Sequence, residues 1–424
     1  MRWHLVVLAA LLATHLGAAD VPLPWGPGTS PRIAKLKADV AASKSGASSE
    51  FWAERTAQGT PLIEPLDASR VLVTFVYRGS ADTTAVSLAA QLTTGRDPLP
   101  LERVAGTDVW FRTFALRNDL RFSYRFETIP ASSHITPPGR DPLNAKLLPQ
   151  GAGLGPSYIE LPKAPAQPYL VQREGVPAGA LVEETIHSDI LKVDRKAWVY
   201  TPLRYDAKRE QPYPVLICFD GETYSSPEGV STPAILANLI AEGRIPPVTA
   251  IFIQQFPQPQ RNNELSNNPP FADFVALELL PQLRRKYRIT ANPAETILCG
   301  SSAGGLAAIY LAFRHSNVFG NVIAQSAALW PGKERDNPHH EWLTEQYEAS
   351  RKLPIRFVLQ PGALELGGPT PLNGPSILAS NRHLRDVLAA KGYDLDYTEV
   401  PGGHEVLAWR GGIAPGLIRL LGKP

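Results

Sequence analysis

The stretch TILCGSSAGGLAAIYLAFRH, residues 296–315, decides the fold. An apolar, strand-like run ending at Cys299 meets the motif GxSxG at Gly300, Ser301, Ser302, Ala303 and Gly304, and passes directly into a helix-forming segment. A serine on a sharp strand-to-helix turn needs small neighbours, because its backbone is strained and closely packed. Such a turn lifts the Ser302 hydroxyl above the C-terminal edge of a sheet. The helix N-terminus and the Ala303 N–H then face the site where an oxyanion would develop. Ser302 is the candidate nucleophile; the competing reading is a Gly/Ser-rich turn with no chemistry.

Around this turn, apolar strand runs alternate with helical stretches from about residue 182 onward. VEETIHS and KAWVYTPL read as an opening hairpin. YPVLICF, VTAIFIQQ, VIAQSAA, IRFVLQPG and LDYTEVPGG read as further strands. Helices are expected near 232–242, over 271–287 and from Ala303. This alternation implies a mostly parallel sheet covered on both faces. Upstream, VLVTFVYRG, AVSLAAQL, DVWFRTFAL and RFSYRFET between Val71 and Thr128 alternate with period two and are separated by turn signals. That pattern predicts a small β-sandwich. Residues 128–180 are dense in Pro and Gly and read as a wrapping connection.

A neutral serine needs a base, and in this fold class the order along the chain is Ser, acid, His. His404 lies in the Gly-rich loop PGGHEVLAWRGG after the last strand, where it can reach the sheet's C-terminal edge. The other downstream histidines fit surface or helical positions: His315 near the end of the elbow helix, His339 and His340 in a polar stretch, and His383 in a helix. Glu365 stands just beyond the strand IRFVLQ and is the candidate acid, orienting His404 and stabilising its charged form. A Ser–His dyad with Glu365 solvated stays open. The loop FDGETY offers the N–H of Gly221 or Glu222 as a second oxyanion donor, with Asp220 as a brace. Cys218 and Cys299 end neighbouring strands and read as buried thiols, with a disulfide as the second reading. Neither has the exposed position or His partner that a catalytic cysteine needs.

Composition bounds the rest. With 42 Lys+Arg against 40 Asp+Glu, the net charge of +2 argues against a nucleic-acid partner. The chain has 424 residues, ample for two domains. Its 41 Pro and 33 Gly stay below the level of low-complexity disorder. Two Cys cannot build a disulfide framework or a four-Cys zinc site. Arg2, the apolar run Leu5–Leu16 and the small residues Gly17 and Ala19 before Asp20 have the shape of a cleavable export signal, too short to span a bilayer. The expected layout is a signal peptide at 1–19, a β-sandwich domain at 20–160, a linker at 161–181 and an α/β domain at 182–424. The mature protein is expected in the periplasm or secreted, with no stable membrane insertion.

Several stretches resemble the enterochelin (enterobactin) esterase family. LERVAGTDVW and RDPLN are similar to that family's N-terminal region. FDGE, RNNELSNN, GSSAGGLAAIYLAF, IAQSAALW and GGHEVLAWRGGIAPGLIRLL follow its catalytic half in order. The resemblance implies an α/β-hydrolase fold preceded by a small all-β sandwich, with Ser302 as nucleophile, His404 as base and Glu365 as acid. It also implies that Arg261, Trp409, Arg410 and Trp330 sit at the substrate mouth. No metal or other cofactor is implied; iron would arrive within a ferric catecholate siderophore whose negative charge suits Arg and whose flat rings suit Trp. Two departures stand out. The family's DGQ reads DGE at Glu222, and its aromatic-rich Ser-Gly-Ser-Tyr-Trp-Trp is reduced to SAALW, leaving Trp330. The expected activity is hydrolysis of a siderophore's ester bonds. The alternative is a secreted feruloyl or acetyl-xylan-type carbohydrate esterase whose β domain binds glycan, which a row of exposed aromatics would favour.

Overall fold

The computed structural model describes residues 25–93, 99–130, 139–148, 155–333, 340–367 and 374–422. The expected export segment at 1–19 and His339 lie outside them. The N-terminal half opens with β1 (Trp25–Pro27) and two helices, α1 (Pro31–Ala41) and α2 (Ala47–Gln58). Then come β2 (Leu62–Pro65), β3 (Arg70–Arg78), β4 (Thr83–Ala90), β5 (Leu99–Pro100), β6 (Glu102–Arg103), β7 (Val109–Arg117), β8 (Arg121–Pro130) and β9 (Ser157–Glu160). Among the described residues they form two antiparallel sheets, in the orders β1-β7-β3-β2 and β5-β4-β8-β9, with β6 beside β7. Phe75, Phe114, Phe122 and Tyr124 fill the space between the sheets.

Two features differ from the sequence reading. Helices α1 and α2 are inserted between β1 and β2, and they pack Ile33, Leu36, Phe51 and Trp52 against Val76 and Val109 on the outer face of one sheet. Strand β9 arises from the stretch expected to wrap as a connection. It pairs with β8, from Arg121 opposite Glu160 to Tyr124 opposite Ser157. Trp110 and Tyr124, two large aromatics of the β domain, are 8% and 1% exposed and belong to the core.

The C-terminal half contains β10 (Ala180–Ser188), β11 (Val193–Thr201), β12 (Val215–Cys218), β13 (Thr249–Ile253), β14 (Thr296–Ser301), β15 (Asn321–Gln325), β16 (Arg356–Gln360) and β17 (Asp394–Tyr397). Among the described residues they make one sheet in the order β10-β11-β13-β12-β14-β15-β16-β17. The hairpin β10–β11 joins β13 antiparallel, and every pairing from β13 to β17 is parallel. The helices are α3 (Gly221–Ser225), α4 (Thr232–Ala241), α5 (Gln260–Leu265), α6 (Pro269–Asp273), α7 (Leu280–Lys286), α8 (Ala303–Arg314), α9 (Trp342–Ala349), α10 (Ile377–Ala390) and α11 (Val406–Leu421). A wide turn of π type over Phe274–Leu279 joins α6 to α7 within the single helix expected at 271–287.

Separate apolar clusters cover the two sheet faces. One packs α8 and the α6–α7 segment against the sheet; the other packs α4 and α11 on the opposite side. Both faces being buried explains why β12 and β14 read as unbroken apolar runs rather than alternating ones. One buried residue crosses between the halves: Leu364, on the loop after β16, belongs to the core of the β-sandwich. No helix among the described residues is long and apolar enough to cross a membrane.

Candidate active site

The elbow is built by close approach. A Cβ on Gly300 would lie 2.5 Å from the Gly304 backbone, so the first glycine of GxSxG exists to let strand and helix meet. Ser302 sits between β14 and α8 at φ 58° and ψ −122°, a conformation that costs an L-residue about 1–3 kcal/mol. The neighbouring strand holds it there: the Ser302 N–H donates to the Gln325 carbonyl at 3.0 Å, and the Ser302 carbonyl accepts from Ala328 N–H at 3.0 Å.

His404 and Glu365 complete a continuous chain. The Ser302 Oγ lies 3.0 Å from His404 Nε2, and His404 Nδ1 lies 2.5 Å from Glu365 Oε1. Glu365 is 2% exposed, and its second oxygen accepts the Gly362 N–H at 2.6 Å. The carboxylate is therefore placed by its own loop, and both of its oxygens are occupied inside the protein. This geometry favours a three-residue arrangement over a dyad. The imidazole can accept the serine proton at Nε2 while Nδ1–H stays bound to a carboxylate.

The oxyanion candidates are positioned by a second loop. A Cβ on Gly304 would meet Asp220 Oδ2 at 3.4 Å, so the FDG loop lies directly against the start of α8. Gly221 in turn has no room for a side chain, its Cβ position being 2.6 Å from the Phe252 backbone. Ala303 begins α8 and Gly221 and Glu222 begin α3, where N–H groups have no partner within their own helix. Glu222 turns its carboxylate back to accept the Gln255 N–H at 2.9 Å, so this acidic departure braces a loop.

The expected mouth residues separate into two groups. Trp409 stands edge-on to the His404 ring at 5.3 Å and donates its indole N–H to Ser326 Oγ at 3.0 Å. Trp330 is half-buried on the same post-β15 loop that carries Ala328. The two arginines are each held by a protein partner. Arg261 is held in a fork by Asp220, through Nε at 2.6 Å and Nη2 at 2.5 Å, so its charge is neutralised and it braces the FDG loop. Glu264, three residues on, instead serves the fully buried Arg195. Arg410 points into the seam toward the linker, donating to Gln167 Oε1 at 3.0 Å, and burial lowers its pKa. Both guanidinium groups are thus engaged by partners within the protein.

Cys218 and Cys299 are register partners on β12 and β14, both buried and free, and burial pushes the Cys218 thiol well up. Among the described residues no group of three His, Cys, Asp or Glu is arranged to hold a metal ion. His315 closes α8 and binds Asp273, while His383 is exposed beside Glu341.

Beneath the site runs a polar network absent from the sequence reading. Tyr224 OH donates to Gln325 Oε1 at 2.9 Å; Gln325 Nε2 donates to Gln360 Oε1 at 3.0 Å and to the Trp409 carbonyl at 2.7 Å; Gln360 Nε2 reaches the Gly412 carbonyl. It ties α3, β15, β16 and α11 together. The available signal was a glutamine ending each of two apolar strands that pair in register. Glu405 was also missed. It is 8% exposed, accepts the Ser123 N–H at 2.9 Å through Oε1 and leaves Oε2 unpartnered, and burial raises its pKa to about 7.

The chain matches the family model described as the enterochelin esterase N-terminal region over residues 72–170, and the model described as putative esterase over residues 188–420. An iron(III) enterobactin esterase of Dickeya dadantii is 30% identical, over 89% of this chain and 94% of its own. The crystal structure of a ferric enterobactin esterase from Salmonella typhimurium superposes with a TM-score of 0.72 at 27% identity, covering 88% of this chain and 98% of that one. The enterobactin esterase of Shigella flexneri, crystallised in the presence of enterobactin, gives 0.68 at 28% identity, covering 89% and 98%.

Replacing Glu365 by Gln leaves the shape intact but removes the charge facing His404 Nδ1. Steady-state kinetics on an ester substrate should show kcat falling about 10⁴-fold with little change in KM. A drop under tenfold would return the site to a Ser–His dyad.

Glu405 yields a pH prediction. Its pKa is about 7 when folded against an ordinary value of 4.5, so native protein holds this proton more tightly than unfolded chain. The stability associated with it is complete below about pH 4.5 and is lost as pH rises to about 7. Glu405→Gln should therefore match wild type near pH 4 in urea denaturation and exceed it by about 3 kcal/mol near pH 8.

Proposed function

Because the chain belongs to the enterochelin esterase family, we propose that it opens the ester-linked backbone of a catecholate siderophore of the enterobactin type and so frees its iron. The observation that carries the reading is the unbroken hydrogen-bonded chain from Ser302 Oγ through His404 to the buried Glu365. In this mechanism His404 Nε2 takes the serine proton as Oγ attacks an ester carbonyl. The tetrahedral oxyanion rests on the N–H groups of Ala303 and of Gly221 or Glu222, at the positive end of α8. His404 then protonates the departing alkoxide, and water, activated by the same imidazole, releases the acyl group from Ser302. Glu365 keeps Nδ1–H bound and stabilises the imidazolium. The strained Ser302 backbone holds Oγ in place before substrate arrives, so no ordering entropy is spent at the reacting atom.

Trp409 and Trp330 are the residues we assign to the flat catechol arms, Trp409 being already in contact with the His404 ring. Iron enters as part of the substrate and needs no ligand from the protein. Trp110 and Tyr124 lie in the core and so are not part of any exposed glycan platform.

We also propose that the mature chain works in the periplasm or is secreted, on the strength of the export-signal pattern in residues 1–19. Intact mass of protein recovered from the periplasm or medium should correspond to a chain beginning at Asp20; recovery only as full-length cytoplasmic protein would overturn this.

Purified protein incubated with ferric enterobactin should release linear products resolvable by chromatography, and Ser302→Ala should release none. Absent ring opening, or equal opening by the variant, would sink the siderophore reading. Turnover of feruloyl-arabinose alone would instead favour the carbohydrate esterase.

A further inference from the structure

The loop that carries His404 is short, running from Thr398 to Glu405 between β17 and α11. One side is held by the acid loop: Ala363 N–H donates to the Val400 carbonyl at 2.8 Å and Leu364 N–H to the Gly402 carbonyl at 3.0 Å. The other side is held entirely by the β-sandwich. Arg121 N–H donates to the Pro401 carbonyl at 3.0 Å, Ser123 N–H to Glu405 Oε1 at 2.9 Å, and the His404 N–H itself donates to Gln91 Oε1 at 3.2 Å.

The two glycines before His404 follow from this clamp. A Cβ on Gly402 would approach the Arg121 carbonyl at 3.1 Å, and one on Gly403 would sit 2.7 Å from the Gln91 side chain. Leu364, next to Glu365, is anchored in the sandwich core as well. Both the base and the acid thus hang on loops whose outer walls belong to the N-terminal domain.

We propose that Gln91 is a positioning residue for His404, and that through it the β-sandwich sets the reactivity of Ser302. Gln91 touches neither the imidazole nitrogens nor the serine. It acts on the backbone from which the ring projects. With the Ser302–His404 separation at 3.0 Å, a loop shift of about 1 Å breaks the proton path, and misplacement on that scale can lower rate by about 10²-fold. The acceptor matters because a part-buried N–H left without one pulls the loop toward another partner or toward water.

The inference rests on the serine-esterase reading of Ser302 and His404 but not on the natural ester. Its test therefore uses p-nitrophenyl acetate, together with a fluorophosphonate that labels the nucleophilic serine and is followed by intact mass. In the full-length protein, Gln91→Leu keeps the bulk and removes the acceptor, whereas Gln91→Glu keeps an acceptor. Gln91→Leu should lose about 10- to 100-fold in both kcat and labelling rate, with KM within about twofold and an unchanged melting temperature. Gln91→Glu should restore kcat to within about threefold of wild type. Full activity in Gln91→Leu, equal loss in both variants, or a loss that tracks a fall in melting temperature would each overturn the proposal. Inactivity on ferric enterobactin alongside this pattern would refute the proposed substrate and leave the positioning role standing.

Discussion

The close approach of strand β14 to helix α8, with Gly300 packed on the backbone of Gly304, is the constraint on which the rest of the molecule is arranged. It forces Ser302 to a positive φ that no side-chain contact would choose. That conformation persists because β15 and the loop after it overdetermine it, Gln325 binding the Ser302 N–H and Ala328 donating to its carbonyl. Once the hydroxyl is fixed there, the other active groups have little latitude. His404 must arrive from the far side of β16 and β17, Glu365 must stand behind it, and the FDG loop must press against the start of α8.

Charge in the site follows the same logic. Asp220 and Arg261 neutralise each other in a forked pair that is 6% and 14% exposed at the side chains, which secures a loop but leaves no free cation. Glu222 is drawn off to a backbone N–H. What remains facing the serine is largely dipolar: helix N-termini and backbone N–H groups. On the proposed reading, an anionic substrate would meet these backbone donors beside Ser302, with Trp409 against the His404 ring.

The β-sandwich is part of this arrangement. Its strand β8 and the turn at Gln91 form the outer wall of the His404 loop, and its core takes in Leu364. The buried Glu405 lies in the same seam, one residue from the base. Family resemblance in the N-terminal region and in the GGH stretch thus marks two sides of one contact surface.

The amino-acid sequence alone marked most strands and helices of the α/β half, and Ser302, His404 and Glu365 as candidates. Strand-like apolar runs, the small residues around Ser302, a Gly-rich loop at His404 and a strand-loop-Glu pattern at Glu365 are all local signals, and each arises from backbone geometry that acts within a few residues. Tertiary structure decided the partners. Whether Arg261 meets substrate or Asp220 depends on how α5 lies against the FDG loop, about forty residues away in the chain. The Gln325–Gln360 network needs two paired strands, and the bond from Gln91 to His404 spans 313 residues. Likewise α1 and α2 carry no turn-by-turn signal that would have tied them to the outer face of a sheet. Contacts of this kind are set by packing between distant elements, where side chains compete for the same buried hydrogen-bonding groups, and no local pattern records which one wins.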